Sequence, residues 1–588
     1  MPKHANGSEP AVDMATTSAG TPTTTLTNSA STVSVGAPAA VSRRGFLKGI
    51  GSTGAAAGLG LGFSLTALES AEAAIIGPDT ASQRRARAFQ VRRNASRGHL
   101  TDQLPTQPTN NDEANYADRR SVFAKGLPHN SLGEPDPTAY QSLLDAIDSG
   151  DPADFEAIEL SPIAVKKLAN PQAAYAFEMV GTDSHSGRIL AAPAFASAQE
   201  AAEMTEVYWQ AITRDVPFAE YATNPLIAAA VADLNSLSHK ASPTVGGQIT
   251  TGTLFRGETP GDLVGPYISQ FLWRNVPYGS STIIQRYPTP IAGEDFMTDY
   301  NEWLAIQQGA NQTGVLHLEA ADRYIFDNRS LAEWVHRDVT FQGYFNAALI
   351  LASFGGAALA ASNPYKTSAT QGGFITFGIA DIAHLVTMTA ATALKAAWWQ
   401  KWLVHRALRP EAFAGRVENS VNGSKSYGIH PDVLNSDAVA RLLSANGNAL
   451  LPMAYVEGSP THPSYPAGHA TLSGSGATVL KAFFNEDFVI PNPVMADADG
   501  SELVPWTGAP LTIGNELNKL AANISIGRDA AGVHFRADGI QGLLLGEQIG
   551  ISILRDYSHG YNEGFAGFNL TRFDGQEIVI VGGEVFEV

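Results

Sequence analysis

Apolar residues recur at helical spacing through most of the chain after residue 138, in segments that are rich in alanine. Between these segments, stretches 242–262, 276–295 and 486–512 are rich in Gly, Pro, Thr and Asn, which predicts long structured loops. The pattern therefore predicts a mainly all-α protein with long loops. The segments predicted to be helical are 138–149, 153–170, 197–240, 328–362, 376–409, 433–446, 469–485, 513–526 and 535–556.

The C-terminal tail has a different pattern. A turn signal at Asp574 and Gly575 separates residues 568–573 from an apolar run at 578–581. Two such runs joined by a short turn predict a small β-hairpin or a pair of edge strands. We therefore expect a small C-terminal β element on the helical body.

The first 74 residues are predicted to lie outside the fold. Residues 10–42 are dominated by Ala, Thr, Ser, Pro and Gly, a composition that favours disorder. The sequence SRRGFLK at 42–48, a mildly apolar Gly/Ala segment at 49–68 and Ala-Glu-Ala at 71–73 follow the order of a twin-arginine signal. A short amphipathic or membrane-lying helix is the alternative. The signal predicts export of an already folded protein to the periplasm or the extracellular space.

The remaining chain is expected to have three parts. Residues 75–115 are first Arg-rich and then rich in Gln, Pro and Asn, which predicts an extended arm rather than a core helix. Residues 116–370 would form an N-terminal helical half. Residues 371–588 would form a C-terminal helical half that carries the chemistry discussed below.

Composition excludes several classes of function. The 588 residues have 57 acidic and 38 basic side chains and a formal net charge of −19, which argues against a duplex nucleic-acid binder. The absence of cysteine excludes disulfides, thiol nucleophiles, zinc thiolate sites and iron–sulfur clusters. No strongly apolar run of about 20 residues follows the N-terminal region, so we expect no membrane span in the mature chain. Histidines, carboxylates or an oxyanion-type cofactor remain for catalysis.

The first of three candidate segments is KWLVHRALRP, from Lys401 to Pro410. Pro410 is expected to help end the helix that carries Lys401 and Arg409. Eight residues at about 100° each leave these two cations about 80° apart, so both can face one cavity. Taken alone, the segment is also typical of cations that stabilise a helix C-terminus.

The second segment is THPSYPAGHAT, from Thr461 to Thr471. Two prolines and a glycine predict a rigid turn, and an apolar helix follows directly. His469 and the Gly468 amide would then lie at a helix N-terminus, where unpaired amides bind anions. The helix field favours a neutral, proton-accepting His469. A purely structural turn is the alternative for this segment by itself.

The third segment, SIGRDAAGVHFRAD, contains Arg528, His534 and Asp538. Asp538 lies one helical turn beyond His534, so its carboxylate can accept a proton from the imidazole nitrogen that is not used for chemistry. An ordinary surface His–Asp pair is the alternative. Together the three segments predict a receptor for a tetrahedral oxyanion, since each cation about 4 Å away contributes roughly 4 kcal/mol at an effective dielectric near 20.

The motifs Lys-x7-Arg-Pro, Pro-Ser-x-Pro-x-Gly-His and Arg-x5-His-x3-Asp occur in this order between residues 401 and 538. This combination resembles the shared signature of the vanadium-dependent haloperoxidases and the type 2 phosphatidic acid phosphatase superfamily. The chain length, the loop between the first two motifs and the PSYPAGH sequence resemble the algal and cyanobacterial bromoperoxidase branch.

The resemblance implies a vanadate cofactor and a role for each residue. His534 would supply the single protein bond to vanadium, which stays V(V) and acts as a Lewis acid. His469 would take a proton from hydrogen peroxide, and Lys401 would also polarise the peroxide. The groups implied to hold the vanadate oxygens are Lys401, Arg409, Arg528 and the Gly468 amide.

Three positions bear on the affinity for vanadate and on which halides are oxidised. Ala467 stands where many members of the family have Ser, so one hydrogen bond to vanadate would be missing. Trp398 resembles the chloroperoxidase branch, whereas His462 resembles the bromoperoxidases and would join the catalytic group. We expect oxidation of bromide and iodide, with chloride weak. Plain core packing is the alternative for Trp398.

The resemblance also implies paired four-helix bundles, homo-oligomers, and hydrogen peroxide, halide and a small organic nucleophile as reactants. A structural calcium is possible in the family, but no Asp-rich loop is identifiable. Two other functions stay open. One is a soluble exported acid phosphatase, with a phosphohistidine at His534 and with His469 protonating the leaving group. The other is an exported oxyanion-binding or storage protein without turnover.

Overall fold

The computed structural model describes residues 79–588. The disorder and the twin-arginine signal expected within residues 1–74 lie outside the described residues. Helices dominate the described part, which confirms the all-α prediction. The α-helices are α1 (Ala81–Thr101), α2 (Asp112–Asn115), α3 (Pro137–Ser149), α4 (Pro152–Glu156), α5 (Ala198–Ile212), α6 (Pro225–Ser236), α7 (Gln270–Trp273), α8 (Tyr300–Gln307), α9 (Asn328–Arg337), α10 (Gln342–Ser353), α11 (Ile379–Trp399), α12 (Pro410–Val421), α13 (Pro431–Leu434), α14 (Asp437–Asn446), α15 (Gly468–Phe483), α16 (Ile513–Ala530) and α17 (Arg536–Ser558).

Three small antiparallel sheets accompany these helices. The C-terminal sheet confirms the predicted β element and adds a third strand to it, with Phe568 opposite Ile580 in the antiparallel register of its first two strands. The other two sheets are short hairpins within two of the segments predicted to be loops. The strands are β1 (Val276–Tyr278), β2 (Ser281–Ile283), β3 (Val494–Ala496), β4 (Leu503–Pro505), β5 (Phe568–Thr571), β6 (Glu577–Val581) and β7 (Glu584–Glu587).

The helix α15 lies at the centre of a bundle with α11, α16 and α17, and nearly all of its residues are buried. Glycines let α15 and α17 approach backbone to backbone. A Cβ atom at Gly546 would lie 1.9 Å from the carbonyl oxygen of Thr471, and one at Gly474 would lie 2.1 Å from that of Leu543. Because these contacts involve backbone atoms, neither helix can shift easily, and the N-terminus of α15 is held in a fixed position.

The prediction of an extended arm is wrong for Ala81–Thr101, which forms the helix α1. A capping box between Thr80 and Gln83 begins it, and its many Arg, Ala and Gln residues are good helix formers. The helix has no buried residue, so it is not a core helix, as predicted. Its C-terminal end contacts the body through His99, whose Nε2 lies 2.9 Å from the carboxylate of Asp556 on α17.

Lys401 and Arg409 do not share one helix, which corrects the prediction for 376–409. The helix α11 passes into a π-helical turn at Gln400–His405, which contains Lys401, and Arg406 then has a left-handed backbone with φ 43°. Pro410 begins α12 rather than ending the preceding helix, because proline suits the first helical position, where no amide donor is needed. Arg409 is the extended residue that precedes α12.

Prolines and short loops also divide other predicted helices. Within the predicted segment 153–170, only residues 153–156, which belong to α4, are α-helical, and the segments 197–240 and 328–362 each contain two α-helices. The proposed division into two halves at residue 370 stays a prediction. Residues 79–588 belong to one compact unit, in which α9 of the proposed N-terminal half packs against α16 of the proposed C-terminal half. Among the described residues, no helix combines the length and apolar character needed to span a membrane.

We expect the substitution Gly546→Ala to lower the free energy of unfolding by about 3 kcal/mol, although alanine is the better helix former. The new methyl group would collide with the Thr471 carbonyl oxygen, which belongs to a backbone that cannot rotate away. Denaturant unfolding followed by circular dichroism measures the change. The control is Gly98→Ala on α1, where a Cβ meets only the Arg555 side chain at 3.6 Å, and we expect no loss of stability there. Equal stability of Gly546→Ala and the wild type would contradict the close helix packing.

Candidate active site

The three candidate segments converge in the structure. Nη1 of Arg409 lies 3.1 Å from Nε2 of His534, which links the first segment to the third. Nζ of Lys401 donates hydrogen bonds to the carbonyl oxygens of Pro463 and Ser464, at 2.7 and 2.6 Å, which link the first segment to the second. The sequence prediction that distant basic groups meet in one place is therefore supported by direct contacts.

His534 has a fixed tautomer. Its Nδ1 lies 2.8 Å from Oδ2 of Asp538, and since a carboxylate only accepts hydrogen bonds, Nδ1 must carry the proton. Burial, and then the charges of Arg409 and Lys401, hold the pKa of His534 well below its usual value. The ring is therefore neutral, and the lone pair of Nε2, which accepts a hydrogen bond from Nη1 of Arg409 at 3.1 Å, can bind an electrophile once that hydrogen bond is released.

The spacing of four residues suggested that His534 and Asp538 lie in one helical turn. The structure shows that they do not. His534 precedes α17, and Asp538 is the third residue of that helix, where its carboxylate also accepts a hydrogen bond from the Phe535 amide at 3.1 Å. The hydroxyl of Ser464 donates to the same carboxylate oxygen at 2.5 Å. Ser464 belongs to the second segment, although sequence reasoning did not assign it a role.

The buried cations outnumber the carboxylates that face them. Lys401, Arg409 and Arg528 are each less than a twentieth exposed. Burial, and then the charge of Arg409, hold the pKa of Lys401 well below its usual value, while burial lowers the pKa of Arg409 to about 9. Asp538 is the carboxylate that acts on both groups, and burial raises its pKa. Such a cluster is suited to an anion with more than one negative charge.

Arg528 reaches the site from the last turn of α16. Its Nη1 donates to the carbonyl oxygen of Val335 at 2.7 Å, while its Nε is buried without a hydrogen-bond partner in the described part of the chain. The ring of Tyr455 lies below the guanidinium, with the central carbon 5.4 Å from the ring centroid. The ring of His336 stacks on the ring of Tyr455, with 3.8 Å between the centroids. Sequence reasoning missed Tyr455 and His336, since no motif or spacing marks them.

His469 is the second residue of α15, as predicted, and its side chain is 29% exposed. Its Nε2 lies 3.0 Å from Oδ1 of Asp338, and the carboxylate again requires that this nitrogen carry a proton. Asp338 is buried at the C-terminal end of α9. It lies 131 positions away in sequence, and no local pattern pointed to it. The other ring nitrogen of His469, Nδ1, is the one left for proton transfer to a substrate.

His462 and Trp398 form one wall of the site. Their rings lie 4.7 Å apart at 41°, and the indole nitrogen of Trp398 donates to the carbonyl oxygen of Ala169 at 3.0 Å. Nη2 of Arg409 lies 3.0 Å from Nδ1 of His462. Burial, and then the charge of Arg409, hold the pKa of His462 well below its usual value, so the ring is neutral. Nδ1 of His462 also lies 3.2 Å from the carbonyl oxygen of Pro463, which only accepts hydrogen bonds, so these two contacts do not fix which ring nitrogen carries the proton.

The N-terminus of α15 completes the site. Gly468 is its first residue, and the first amides of a helix have no partner within the helix. A Cβ built at Gly468 would lie 3.5 Å from the Trp398 ring, which locates this amide beside the wall described above. Ala467 precedes the helix, is fully buried, and donates its amide to the carbonyl oxygen of Asp538 at 2.8 Å. Its methyl group offers no hydrogen bond.

These features fit a tetrahedral oxyanion that also bonds to a Lewis base. Three buried cations and a helix N-terminus supply donors, and Nε of Arg528 still lacks an acceptor among the described residues. The lone pair of His534 provides one bond to an electrophilic centre. Across residues 79–588 no group of three or more His, Asp or Glu side chains is arranged to hold a metal ion.

The chain is similar to proteins of one family. A family model described as the VCPO second helical-bundle domain matches residues 381–563, which include every predicted site residue. A vanadium-dependent bromoperoxidase of Ascophyllum nodosum is 34% identical over 533 residues, which cover 87% of this chain and 95% of that relative. A vanadium-dependent bromoperoxidase of Corallina pilulifera is 35% identical over 542 residues, which cover 78% of this chain and 90% of that relative.

A solved structure also matches along nearly the whole chain. It is the homohexameric second vanadate-dependent bromoperoxidase, AnII, of Ascophyllum nodosum, with a TM-score of 0.83 and 28% identity. The match covers 92% of this chain and 97% of that chain.

We expect the substitution Ala467→Ser to strengthen the binding of orthovanadate by about tenfold or more, since one hydrogen bond to a charged group contributes about 1.5–3 kcal/mol. Isothermal titration calorimetry on the anion-free protein measures the affinity. Serine before a helix can also cap it, so the unfolding temperature without anion is measured in parallel. An unchanged affinity together with a higher unfolding temperature would mean that the hydroxyl only caps α15, and would contradict the prediction.

Proposed function

This chain belongs to the vanadium-dependent haloperoxidases, and we propose from this membership and from its site that it oxidises bromide and iodide with hydrogen peroxide. The product would be hypohalous acid, which halogenates small organic nucleophiles. The observation that carries the proposal is the set of buried cations around the unprotonated Nε2 of His534. A match to bromoperoxidases over most of the chain supports bromide as the halide.

The residues present fit vanadate. Lys401, Arg409, Arg528 and the Gly468 amide would hold its oxygens, and His534 would bind its vanadium through Nε2. The hydrogen bond from Nδ1 to Asp538 at 2.8 Å fixes the ring and increases the basicity of Nε2. The buried Nε of Arg528 supports the presence of an acceptor that residues 79–588 do not themselves supply. The missing hydroxyl at Ala467 is expected to weaken the affinity for vanadate rather than to change the reaction that the enzyme catalyses.

The reaction combines a cofactor with proton transfer by this chain. Bound vanadate supplies a Lewis acid that remains V(V) and makes hydrogen peroxide electrophilic toward halide. His469 accepts a proton from the incoming peroxide at Nδ1, since Nε2–H is engaged with Asp338 at 3.0 Å. Asp338 orients the ring and stabilises it when protonated. Lys401, which two backbone carbonyls fix in place, directs its remaining N–H toward the reacting oxygen.

The wall formed by Trp398 and His462 would contact the halide. The neutral ring of His462 and the ring of Trp398 would present an uncharged and largely apolar surface, so a large and weakly hydrated anion is favoured over chloride. This supports bromide and iodide as the preferred halides, with chloride weak. The hydrogen bond from Trp398 to the Ala169 carbonyl at 3.0 Å keeps this wall rigid.

Two further expectations, a homo-oligomer and a structural calcium, concern parts of the molecule outside the oxyanion site. The homohexameric relative supports a homo-oligomer of this chain, without fixing the number of copies. Calcium stays open, because the described residues offer no cluster of acidic side chains arranged around one point.

We expect the substitution His534→Ala to abolish both vanadate binding and peroxide-dependent bromination, because it removes the bond between the protein and vanadium. Calorimetry with orthovanadate and bromination of a phenolic dye measure the two effects. The control is His317→Ala, a histidine whose side chain is 63% exposed, and we expect both properties to be retained. Bromination by His534→Ala would refute the role of this residue.

The same assay distinguishes the alternative functions. Hydrolysis of an aryl phosphate by the vanadate-free protein, without bromination after vanadate is added, would indicate the acid phosphatase. Neither reaction, with retained oxyanion binding, would indicate a storage protein. The haloperoxidase predicts bromination that requires vanadate.

We also propose that the chain is exported by the twin-arginine pathway and acts in the periplasm or outside the cell. The motif SRRGFLK supports this, and it lies outside the described residues. We expect the double substitution Arg43→Lys and Arg44→Lys to retain the protein in the cytoplasm. Cell fractionation with immunodetection measures this. The control is Arg84→Lys on α1, and export of the double variant at the normal level would contradict the proposal.

A further inference from the structure

The helix α1 carries a basic face that the rest of its own chain does not neutralise. None of its residues is buried, and it contains six arginines and no acidic residue. One arginine, Arg87, pairs with Asp79 at 3.1 Å, whereas the other five are exposed and form no ion pair among the described residues. In a chain of net charge −19, such a helix is suited to contact an acidic surface. The five unpaired arginines are Arg84, Arg85, Arg92, Arg93 and Arg97.

A surface of the opposite sign lies on α3 and α4 and in the residues that follow them. Between Gly126 and Val165 the chain has no lysine or arginine. Six carboxylates of this stretch are exposed and form no ion pair in the part of the chain that the structure describes. Because like charges repel one another, a partner rich in cations would be bound favourably there. The six residues are Asp145, Asp148, Asp151, Asp154, Glu156 and Glu159.

The segment 175–181 packs against this acidic surface at one of its ends. The ring of Tyr175 lies 6.2 Å from that of Phe155 on α4, in an edge-to-face arrangement. The Tyr175 hydroxyl donates a hydrogen bond to the carbonyl oxygen of Ile147 on α3. Phe177, two residues further along, is 82% exposed. A large apolar side chain therefore lies in solvent close to the acidic surface.

The other end of this segment meets the C-terminal end of α1. The Gly181 amide donates to Oδ2 of Asp556 at 2.6 Å, and Oδ1 of the same carboxylate lies 2.9 Å from Nε2 of His99. Met179 and Leu100, which lie close to these anchored residues in sequence, are 92% and 84% exposed. Large apolar side chains that are exposed together indicate a surface that another molecule covers.

The order of these features makes the surface complementary to itself. A basic helix, an apolar centre and an acidic surface follow one another across it. A two-fold rotation about the apolar centre brings α1 of one copy against α3 and α4 of the other. The same rotation brings the apolar side chains against their counterparts. Such an isologous contact pairs both charged surfaces on each copy, so a second copy of the chain is sufficient to cover all three features.

We propose that the partner of this surface is a second copy of this chain, related by a two-fold axis that passes near Phe177 and Met179. The exposed arginines of α1 on each copy face the unpaired carboxylates of α3 and α4 on the other. This assignment rests on the homo-oligomer proposed above and specifies which of its surfaces meet. The association is expected to weaken at high salt, because the paired charges lie around the apolar centre, where they remain close to solvent.

Charge reversal in the full chain tests the proposal, with the dissociation constant measured by sedimentation equilibrium. The double variants are Arg92→Glu with Arg93→Glu on α1 and Asp148→Arg with Glu156→Arg on the acidic surface, all at exposed positions. We expect each double variant to associate at least about tenfold more weakly than the wild type, since each loses attraction across the contact. An equimolar mixture should associate at least about tenfold more tightly than either variant alone. In the mixed pair, one of the two charged contacts is native and the other joins reversed charges of opposite sign.

Two further variants complete the test. The control is Glu220→Arg with Glu502→Arg, which reverses two exposed carboxylates elsewhere and should associate like the wild type. Phe177→Gln should weaken association by at least about tenfold, because it removes an apolar side chain from the centre of the contact. Unfolding temperatures verify that every variant is folded.

The outcomes separate this contact from the oligomer itself. Association of both reversal variants at the strength of the wild type, or no gain when they are mixed, would overturn the proposed contact while the homo-oligomer stands. A wild type that stays monomeric at every concentration would overturn both proposals. Binding of that monomer to vesicles of anionic phospholipid would instead assign the basic helix to a membrane surface.

Discussion

The structure depends on holding three like charges close together away from water. Lys401, Arg409 and Arg528 are buried around His534, and Asp538 is the carboxylate that offsets them most directly. Burial and mutual repulsion disfavour the charged forms of Lys401 and Arg409, as the lowered pKa of each indicates. Backbone carbonyls fix all three cations, so the repulsion cannot be relieved by side-chain movement. A multiply charged anion at the centre relieves it, and this is the physical basis of the proposed vanadate site.

Two helix ends deliver the groups that surround this cluster. The N-terminus of α15 presents unpaired amides and His469, and glycine-mediated packing against α17 fixes its position. The C-terminal end of α9 presents the Val335 carbonyl to Arg528 and the Asp338 carboxylate to His469. One helix end therefore orients both Arg528 and His469, the residue proposed to transfer a proton.

Sequence reasoning found the residues that local motifs mark and missed those that only the fold brings together. The spacing around His534 and the turn before Gly468 predicted the meeting of the three segments. Asp338 and Tyr455 have no local signature, because their roles arise from contacts between distant helices. The π-helical turn at Lys401 was also missed, since apolar periodicity does not report which backbone hydrogen bonds form. The helix α1 was missed because it has no apolar face for a periodicity argument to detect.

The proposed site requires that His534 bonds to vanadium through Nε2 while the surrounding cations hold the oxygens. A crystal structure of the vanadate-loaded protein, with anomalous data collected at the vanadium absorption edge, tests it most directly. We expect one anomalous peak per chain, within bonding distance of Nε2 of His534 and enclosed by Lys401, Arg409 and Arg528. A peak at another location, or a vanadate-loaded protein in which Nε2 of His534 still accepts its hydrogen bond from Arg409, would contradict the account.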